Sequence, residues 1–318
     1  MRVLVTGAAG FIGSHITRAL LSDGHAVVGL DDLSTGFRHN LPAPTSGWRF
    51  IEGDVRDPAV CEAAMHGVAG VIHLAGRNSV PRSLADPRSA LEVNVVGGFN
   101  LLEAARAVAV RWFVYASSSS VYGDDPSMPK VETQLRRPLS PYAASKASFE
   151  HLARAWSMSW GLPTVGLRFF NVFGPRQTPE GAYAAVVPRF VRAALTGERP
   201  IIFGDGSFSR DFTFVGNIVH AARCALEAPD EASGSVLNVA CGGRVSVLDL
   251  WNAIARETGF GGSPHFQPTR AGDMPHSQAD ISEAHRLLGF APVVSFDEGI
   301  RQTVAWYRIQ RNGGSDDS

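Results

Sequence analysis

Six short apolar runs rich in valine and other β-formers recur at 2–6, 26–30, 48–51, 70–74, 111–116 and 164–169, and a helix-compatible stretch follows each of them. A run that is apolar on both faces suits a strand covered from above and below. A repeated strand–helix–strand order brings successive strands in parallel. The expected fold class is therefore α/β, a doubly wound parallel sheet with helices on both faces. After about residue 170 the alternation breaks into turn-rich pieces such as Gly174-Pro175-Arg176 and Gly204-Asp205-Gly206-Ser207, with helical stretches near 184–195 and 217–227. That half reads as a smaller C-terminal α/β lid over 171–318, with a segment near 211–240 returning to the sheet domain of 1–170.

Composition removes several classes of function. The 318 residues are ample for two such units at roughly 150 residues each. A net charge of -1 gives no basic footprint for nucleic acid phosphates, so no nucleic acid partner is expected. No apolar run approaches the roughly 20 residues of a membrane span, and Met1-Arg2 leads straight into a strand-like run instead of a signal peptide. The expected location is the cytoplasm, with no membrane partner. Cys61, Cys224 and Cys241 are odd in number and widely spaced, which fits neither a disulfide framework nor a zinc site, and no metal is expected. Of 29 basic residues only Lys130 and Lys146 are lysines, and neither follows a glycine, which excludes a P-loop. There is also no G-x-S-x-G elbow and no H-E-x-x-H pair.

The first run leads into Thr6-Gly7-Ala8-Ala9-Gly10-Phe11-Ile12-Gly13 and then a helical pattern. Glycines there let the backbone turn tightly and approach a pyrophosphate, whose charge is stabilised at a helix N-terminus. A glycine triplet alone is a weak signal in a chain with 33 glycines. The second run strengthens it, because it ends at Asp31-Asp32, about 20 residues on, where a carboxylate binds adenosine ribose hydroxyls and repels a 2'-phosphate. NAD is favoured over NADP on that ground, and Arg38, a possible partner for the extra phosphate, is the counter-indication. Asp54-Val55 falls where the adenine belongs; a surface turn before Pro58 is the other reading. The sheet expected here is thus of the Rossmann type.

Tyr142-Ala-Ala-Ser-Lys146 opens the segment after Pro141, and residues four apart share a helix face. With five tyrosines and two lysines, about 0.03 such pairs arise by chance. An ammonium beside a phenol favours the phenolate and is expected to lower the tyrosine pKa toward neutrality. The fifth run ends in Ser117-Ser118-Ser119-Ser120, at the C-terminal sheet edge where doubly wound folds bind ligands. One serine there can bond the oxygen that the tyrosine deprotonates; a serine-rich turn without function is the bland alternative.

Together these stretches resemble the extended short-chain dehydrogenase/reductase family, and within it the nucleotide-sugar 4-epimerases of the UDP-galactose/UDP-N-acetylglucosamine type. The likeness runs through His73-Leu74-Ala75-Gly76, Asn94-Val-Val-Gly97, Arg168-Phe-Phe-Asn171, Ser209-Arg210-Asp211-Phe212 and Arg270-Ala-Gly-Asp273. Gly76 departs from a frequent alanine. The resemblance implies catalytic Ser118, Tyr142 and Lys146. It implies NAD held by Gly7, Gly10, Phe11, Ile12, Gly13, Asp31, Asp32, Asp54, Val55, Leu74, Ala75, Gly76 and Asn94, with Tyr142 and Lys146. It further implies a UDP-sugar held by Ser79, Arg82, Ser118, Asn171, Val187, Phe203, Arg210, Arg270, Asp273 and Ser277. Tyr142 would take the C4 hydroxyl proton as hydride leaves C4; the 4-keto sugar would turn over and take the hydride back on its other face.

Family dehydratases carry acidic residues where this chain has Ser118-Ser119-Ser120, which leaves reversible hydride transfer as the expected chemistry. Ser277 stands where epimerases confined to UDP-glucose and UDP-galactose usually have tyrosine, and Gly181-Ala-Tyr-Ala-Ala-Val-Val-Pro188 also resembles the N-acetyl-preferring group. UDP-GlcNAc and UDP-GalNAc are the expected substrates, with UDP-Glc and UDP-Gal possible; a UDP-glucuronate 4-epimerase and a non-enzymatic NAD-binding regulator are the alternatives. Phe149, Leu152, Trp156 and Trp160, with the helix near 91–107, are expected to join two subunits of a homodimer. Lys130 is expected in a loop where arginine would serve equally.

Overall fold

In the computed structural model, which describes residues 1–180, 184–269 and 274–313, every one of the six runs is a strand. They are β1 Arg2–Thr6, β2 Ala26–Asp31, β3 Trp48–Glu52, β4 Gly70–His73, β5 Trp112–Ser118 and β6 Thr164–Phe169. With Ser235–Val239 they form one seven-stranded sheet in the order Ser235–Val239, β6, β5, β4, β1, β2, β3, every neighbour parallel. The seventh strand, five residues directly after the left-handed Gly234, has no apolar run long enough to announce it; its pairing with β6 from Ser235↔Val165 to Val239↔Phe169 defines it. Strand order reverses between β1 and β4, which opens a crevice at their C-terminal ends.

Side chains alternate across the sheet as the pleat requires. Val3 and Val5 of β1 enter one buried core while Leu4 enters the other. The first core is covered by α1 Phe11–Ser22 and by the helix Val215–Leu226, through Ile16, Leu20, Ile218 and Leu226. The second lies under α2 Pro58–Ala64, α5 Gly98–Ala107 and α6 Pro141–Trp160; the short α3 Val80–Ala85 and α4 Pro87–Leu91 lead to α5 through a π-helical turn, Glu92–Gly97. Helix α6 starts sharply because Ser140 accepts from the Ala143 amide at 3.1 Å and Pro141 has no amide to satisfy; it ends at Gly161, left-handed with φ 66°.

The C-terminal part builds three two-stranded pairings: Val172–Phe173 with Thr213–Phe214, Ser209–Arg210 with Val245–Ser246, and Ile201–Phe203 with His265–Gln267. Helices Val186–Thr196, Val247–Thr258 and Phe296–Gly313 enclose a third core containing Phe173, Phe190 and Trp251. Among the described residues no helix is long and apolar enough to cross a membrane.

Two expectations are corrected here. Phe149 does not belong to a surface stripe: it is buried in the second core against His73, Phe113 and Tyr115. Lys130 is not an open loop residue. It is 5% exposed, forms a bridge with Ala279, donates through Nζ to the Asp125 carbonyl, and lies over the Tyr122 ring at 6.0 Å.

Candidate active site

The crevice between β1 and β4 is a cleft of about 560 Å³, lined by Gly7, Gly10, Asp31, Asp32, Val55, Leu74, Ala75 and Gly76 among the residues expected to hold a dinucleotide. Its shape depends on glycine at two points. Gly7 has φ +70°, and a Cβ there would meet the Ala75 amide nitrogen at 2.8 Å. A Cβ on Gly13 would sit 2.0 Å from the Gly7 carbonyl oxygen, so only glycine lets α1 approach the turn this closely. Gly10 caps α1 with no side-chain bond, and no acid stands in the first turn. The helix therefore presents its amides and positive dipole end without a protein carboxylate to neutralise them, which fits a pyrophosphate.

Asp31 is buried and fixes this loop: its Oδ2 accepts the Ala9 amide and its Oδ1 the Leu33 amide, both at 2.9 Å. Burial raises its pKa and these two bonds oppose the rise. Asp32 stands beside it, accepting from the Ser34 amide at 3.0 Å, so two acids face the ribose side of the cleft. Arg38, the counter-indication for a 2'-phosphate, is held by Glu52 and does not line the cleft. The residues present fit NAD. Val55, expected at the adenine, lines the cleft, while Asp54 accepts from the Arg56 amide and Nε at 2.9 Å each, which lowers its pKa. Phe11 and Ile12 pack their side chains against the core of the C-terminal lobe, which leaves their backbone for the ligand.

Thr6 organises the switch point. Its hydroxyl accepts the amides of Leu74 and Ala75 at 3.2 and 3.1 Å, so its own proton is left for His73 Nδ1, 2.8 Å away. His73 is buried, and burial together with the charge of Lys146 lowers its pKa to about 3, which keeps the ring neutral. Asn94, expected at the cofactor, spends its amide on the protein: Oδ1 accepts the Arg77 amide at 2.7 Å, and Nδ2 donates to the Arg77 carbonyl and to Ser145 Oγ. The π-helical turn sets it there, so Asn94 fixes the backbone after Gly76. Arg77, Ser34 and Thr35 also line the cleft and were missed, because only the fold carries the residues after β2 and β4 into the same crevice. Arg77 Nη1 donates to Ser34 Oγ at 2.9 Å.

The structure brings Ser118, Tyr142 and Lys146 together beside this cleft. Ser118 lies near enough to Tyr142 to act on its pKa, its Oγ accepts from the Ser120 amide and hydroxyl at 3.2 and 3.0 Å, and Lys146 Nζ donates to the Ala116 carbonyl at 2.9 Å. A Cβ on Gly76 would lie 3.6 Å from Lys146 Nζ, which places the ammonium against the cleft wall. The expectation for the tyrosine pKa is corrected: burial raises it, and Ser118 only partly offsets the rise. Burial acts on the lysine in the opposite sense, lowering its pKa to about 8.

The remaining expected substrate residues are spread over two places. Ser79 and Arg82 line a second cleft of about 800 Å³ that adjoins the first through Thr35, Arg77 and Asn78. Ser79 caps α3, whose Ser83 accepts the Tyr142 amide at 3.1 Å and so ties this wall to α6. Asn171, two residues past β6, is in a left-handed conformation, φ 36°, and donates to the Asp211 carbonyl at 3.4 Å. Arg210 donates through Nη1 to the carbonyls of Ser209 and Pro275, and the Ser277 amide donates to the Ser209 carbonyl at 3.1 Å, so Arg210 and Ser277 share one corner of the lobe. Phe203 ends the strand paired with Gln267. Val187 is 2% exposed and packs its side chain into the third core, so a side-chain contact from it is not supported. Arg270, Asp273 and 181–183 lie outside the described residues.

Comparison with known proteins agrees with this geometry. The NAD dependent epimerase/dehydratase family matches residues 3–240. A UDP-glucose 4-epimerase of Mycolicibacterium smegmatis is 42% identical over 313 residues, covering 97% of this chain and 99% of the relative. The UDP-N-acetylglucosamine 4-epimerase of Methanobrevibacter ruminantium M1, solved with UDP-N-acetylmuramic acid, superposes with a TM-score of 0.93 at 39% identity, covering 97% of this chain and 98% of its own. The UDP-glucuronic acid 4-epimerase of Bacillus cereus, solved with UDP-glucuronic acid and NAD, gives a TM-score of 0.87 at 32% identity, covering 98% and 100%.

Proposed function

Since this chain belongs to the NAD-dependent epimerase/dehydratase family and is an NAD-dependent UDP-sugar 4-epimerase, we propose that it inverts C4 of N-acetylated UDP-hexoses, interconverting UDP-GlcNAc and UDP-GalNAc. The observation that carries the chemistry is the convergence of Ser118 at the end of β5 with Tyr142 and the buried Lys146 on α6, beside the cleft at the topological switch point. NAD, held by the glycine turn and the acids at the end of β2, would supply the hydride acceptor and donor at C4. Tyr142, as phenolate, takes the C4 hydroxyl proton and later returns it to the same oxygen. Ser118 donates to that oxygen and keeps it in line with the phenol. Lys146 supplies the positive charge a buried phenolate requires, since burial alone holds the phenol protonated.

Sugar choice rests on Ser277. Its amide is anchored to the Ser209 carbonyl beside Arg210, and it is a small residue at the position where the resemblance places tyrosine in epimerases confined to UDP-glucose and UDP-galactose. The diphosphate must stay held while the ring turns; Arg210 and Arg270 are the proposed clamps, with Asp273 at the uridine ribose and Phe203 near the uracil. UDP-Glc and UDP-Gal form the second reading, supported by the 42% identity to a UDP-glucose 4-epimerase. Incubation with UDP-GlcNAc, UDP-Glc and UDP-GlcA separately, with the epimers resolved, tests the assignment: fastest turnover of UDP-GlcNAc is expected, and failure on all three overturns it.

The proposed assembly is a homodimer. Phe99, Val96 and Trp160 are exposed on and beside α5 and α6, and Phe99, Trp156 and Trp160 adjoin in series, the first pair edge-on and the second tilted, with ring centroids 5.6 and 4.8 Å apart. Such a continuous apolar surface favours a partner over water. A monomer by light scattering at micromolar concentration would contradict it.

A further inference from the structure

Behind the catalytic trio lies a buried ion pair that the chemistry does not touch. Glu150 and Arg168 are 1% and 0% exposed. Arg168 donates from Nε and Nη2 to the two oxygens of Glu150, both at 2.8 Å, a bidentate fork. Glu150 Oε1 also accepts from Ser117 Oγ at 2.6 Å, and Oε2 accepts from Arg136. Arg168 spends Nη1 on the Tyr122 hydroxyl at 2.7 Å, which in turn donates to Asn238. Burying such a pair stabilises little by itself, because desolvation offsets most of the attraction. Its placement is what counts. Ser117 precedes Ser118 on β5, and Glu150 lies one helical turn beyond Lys146 on α6.

We propose that Glu150, fixed by Arg168, is a positioning residue for the trio: its bond to Ser117 locks α6 against the serine strand, and its carboxylate is the counter-charge that keeps the Lys146 ammonium in a buried site. The inference rests on the catalytic reading of Ser118, Tyr142 and Lys146. Two side chains of α6 then grip consecutive residues of β5, Lys146 through the Ala116 carbonyl and Glu150 through Ser117. The charged and titratable groups around this point are few. His73 of β4 is neutral, Tyr142 of α6 is a phenol whose pKa burial raises, Tyr115 of β5 is buried and faces Glu150, and Arg136, Arg154 and Arg168 are cations. Glu150 is the anion that acts on Lys146 and opposes the discharge that burial favours.

The chain's two lysines make the test direct. In protein labelled with carbon-13 lysine, two side-chain signals are present, and Lys146→Met identifies which is which. The Lys146 midpoint is expected near pH 8 in the unaltered protein and lower by about one unit or more in Glu150→Gln, with the alkaline limb of kcat moving the same way and KM for the UDP-sugar unchanged. Should the lone buried arginine prevent folding, Arg168→Met, in which Glu150 stays held by Ser117 and Arg136, gives the reading of opposite sign, a raised Lys146 midpoint. Ser117→Ala keeps the pair: the Lys146 midpoint stays and kcat falls about threefold or more. A folded charge variant with an unmoved Lys146 midpoint overturns the electrostatic role, and an unaltered kcat in Ser117→Ala overturns the tether. The lysine titration needs no substrate, so it stands apart from a failure of the epimerase assignment.

Discussion

Lys146 and Lys130 are both buried, 8% and 5% exposed, yet they sit in regions built on opposite plans. Around Lys130 the loop after the catalytic serines answers the charge directly: the Asp125 carbonyl and carboxylate, the latter at 3.7 Å, and the face of Tyr122. Its backbone then pins the loop to the Ser277 segment, donating to the Gln278 carbonyl at 2.8 Å and accepting the Asp280 amide at 2.8 Å. Around Lys146 the hydrogen-bond partner is a single carbonyl, beside a neutral histidine, with the carboxylate one turn away and already engaged by Arg168. The Lys130 charge is neutralised where it stands and serves the framework. Burial lowers the pKa of both lysines; Asp125 opposes the fall at Lys130, and Glu150 opposes it at Lys146, where the pKa is lowered to about 8. Burial of a lysine is thus no sign of function; the partner set is.

The contrast predicts unequal responses. Tyr142→Phe should cost the most, about 10² to 10⁴-fold in kcat with the fold intact, since a positioned acid–base group is removed; a rate within tenfold of the parent would break the account of the catalytic region. Lys146→Arg should follow, with kcat down at least about tenfold, because a planar guanidinium does not replace a compact ammonium against Gly76. Ser277→Tyr should move selectivity more than rate, abolishing turnover of N-acetylated sugars while UDP-glucose is still converted. Lys130→Arg should show the least effect on chemistry. In that buried cage the larger head is expected to cost about 1–3 kcal/mol in denaturant unfolding with kcat nearly unchanged. A silent outcome in both measurements would mean that the cage is not tight.

Legibility in the sequence divides along the same line. Features set by local backbone chemistry were readable: the glycine turn at Gly7, Gly10 and Gly13, the acids ending β2, and the tyrosine–lysine spacing on α6 all stand at the expected places. Features made by long-range packing were not. Lys130 looked like a loop residue because its partners, Asp125 apart, come from residues near 278–280 and the Tyr122 ring. Arg77 looked like any arginine until the fold carried it to Asp32 and Ser34. The tyrosine pKa was misjudged because adjacency to a lysine is visible in a sequence, whereas desolvation is a property of the assembled core. Phe149 fitted a helical stripe equally well from outside or inside, and only the packing of β5 against α6 decides.

The central claim, reversible hydride transfer at C4 of an N-acetylated UDP-sugar, is tested most directly with UDP-GlcNAc carrying deuterium at C4. The account predicts UDP-GalNAc with the deuterium still at C4, since the hydride that leaves returns to the same carbon. Absence of any epimer, or an epimer whose C4 label has exchanged with solvent, would contradict it.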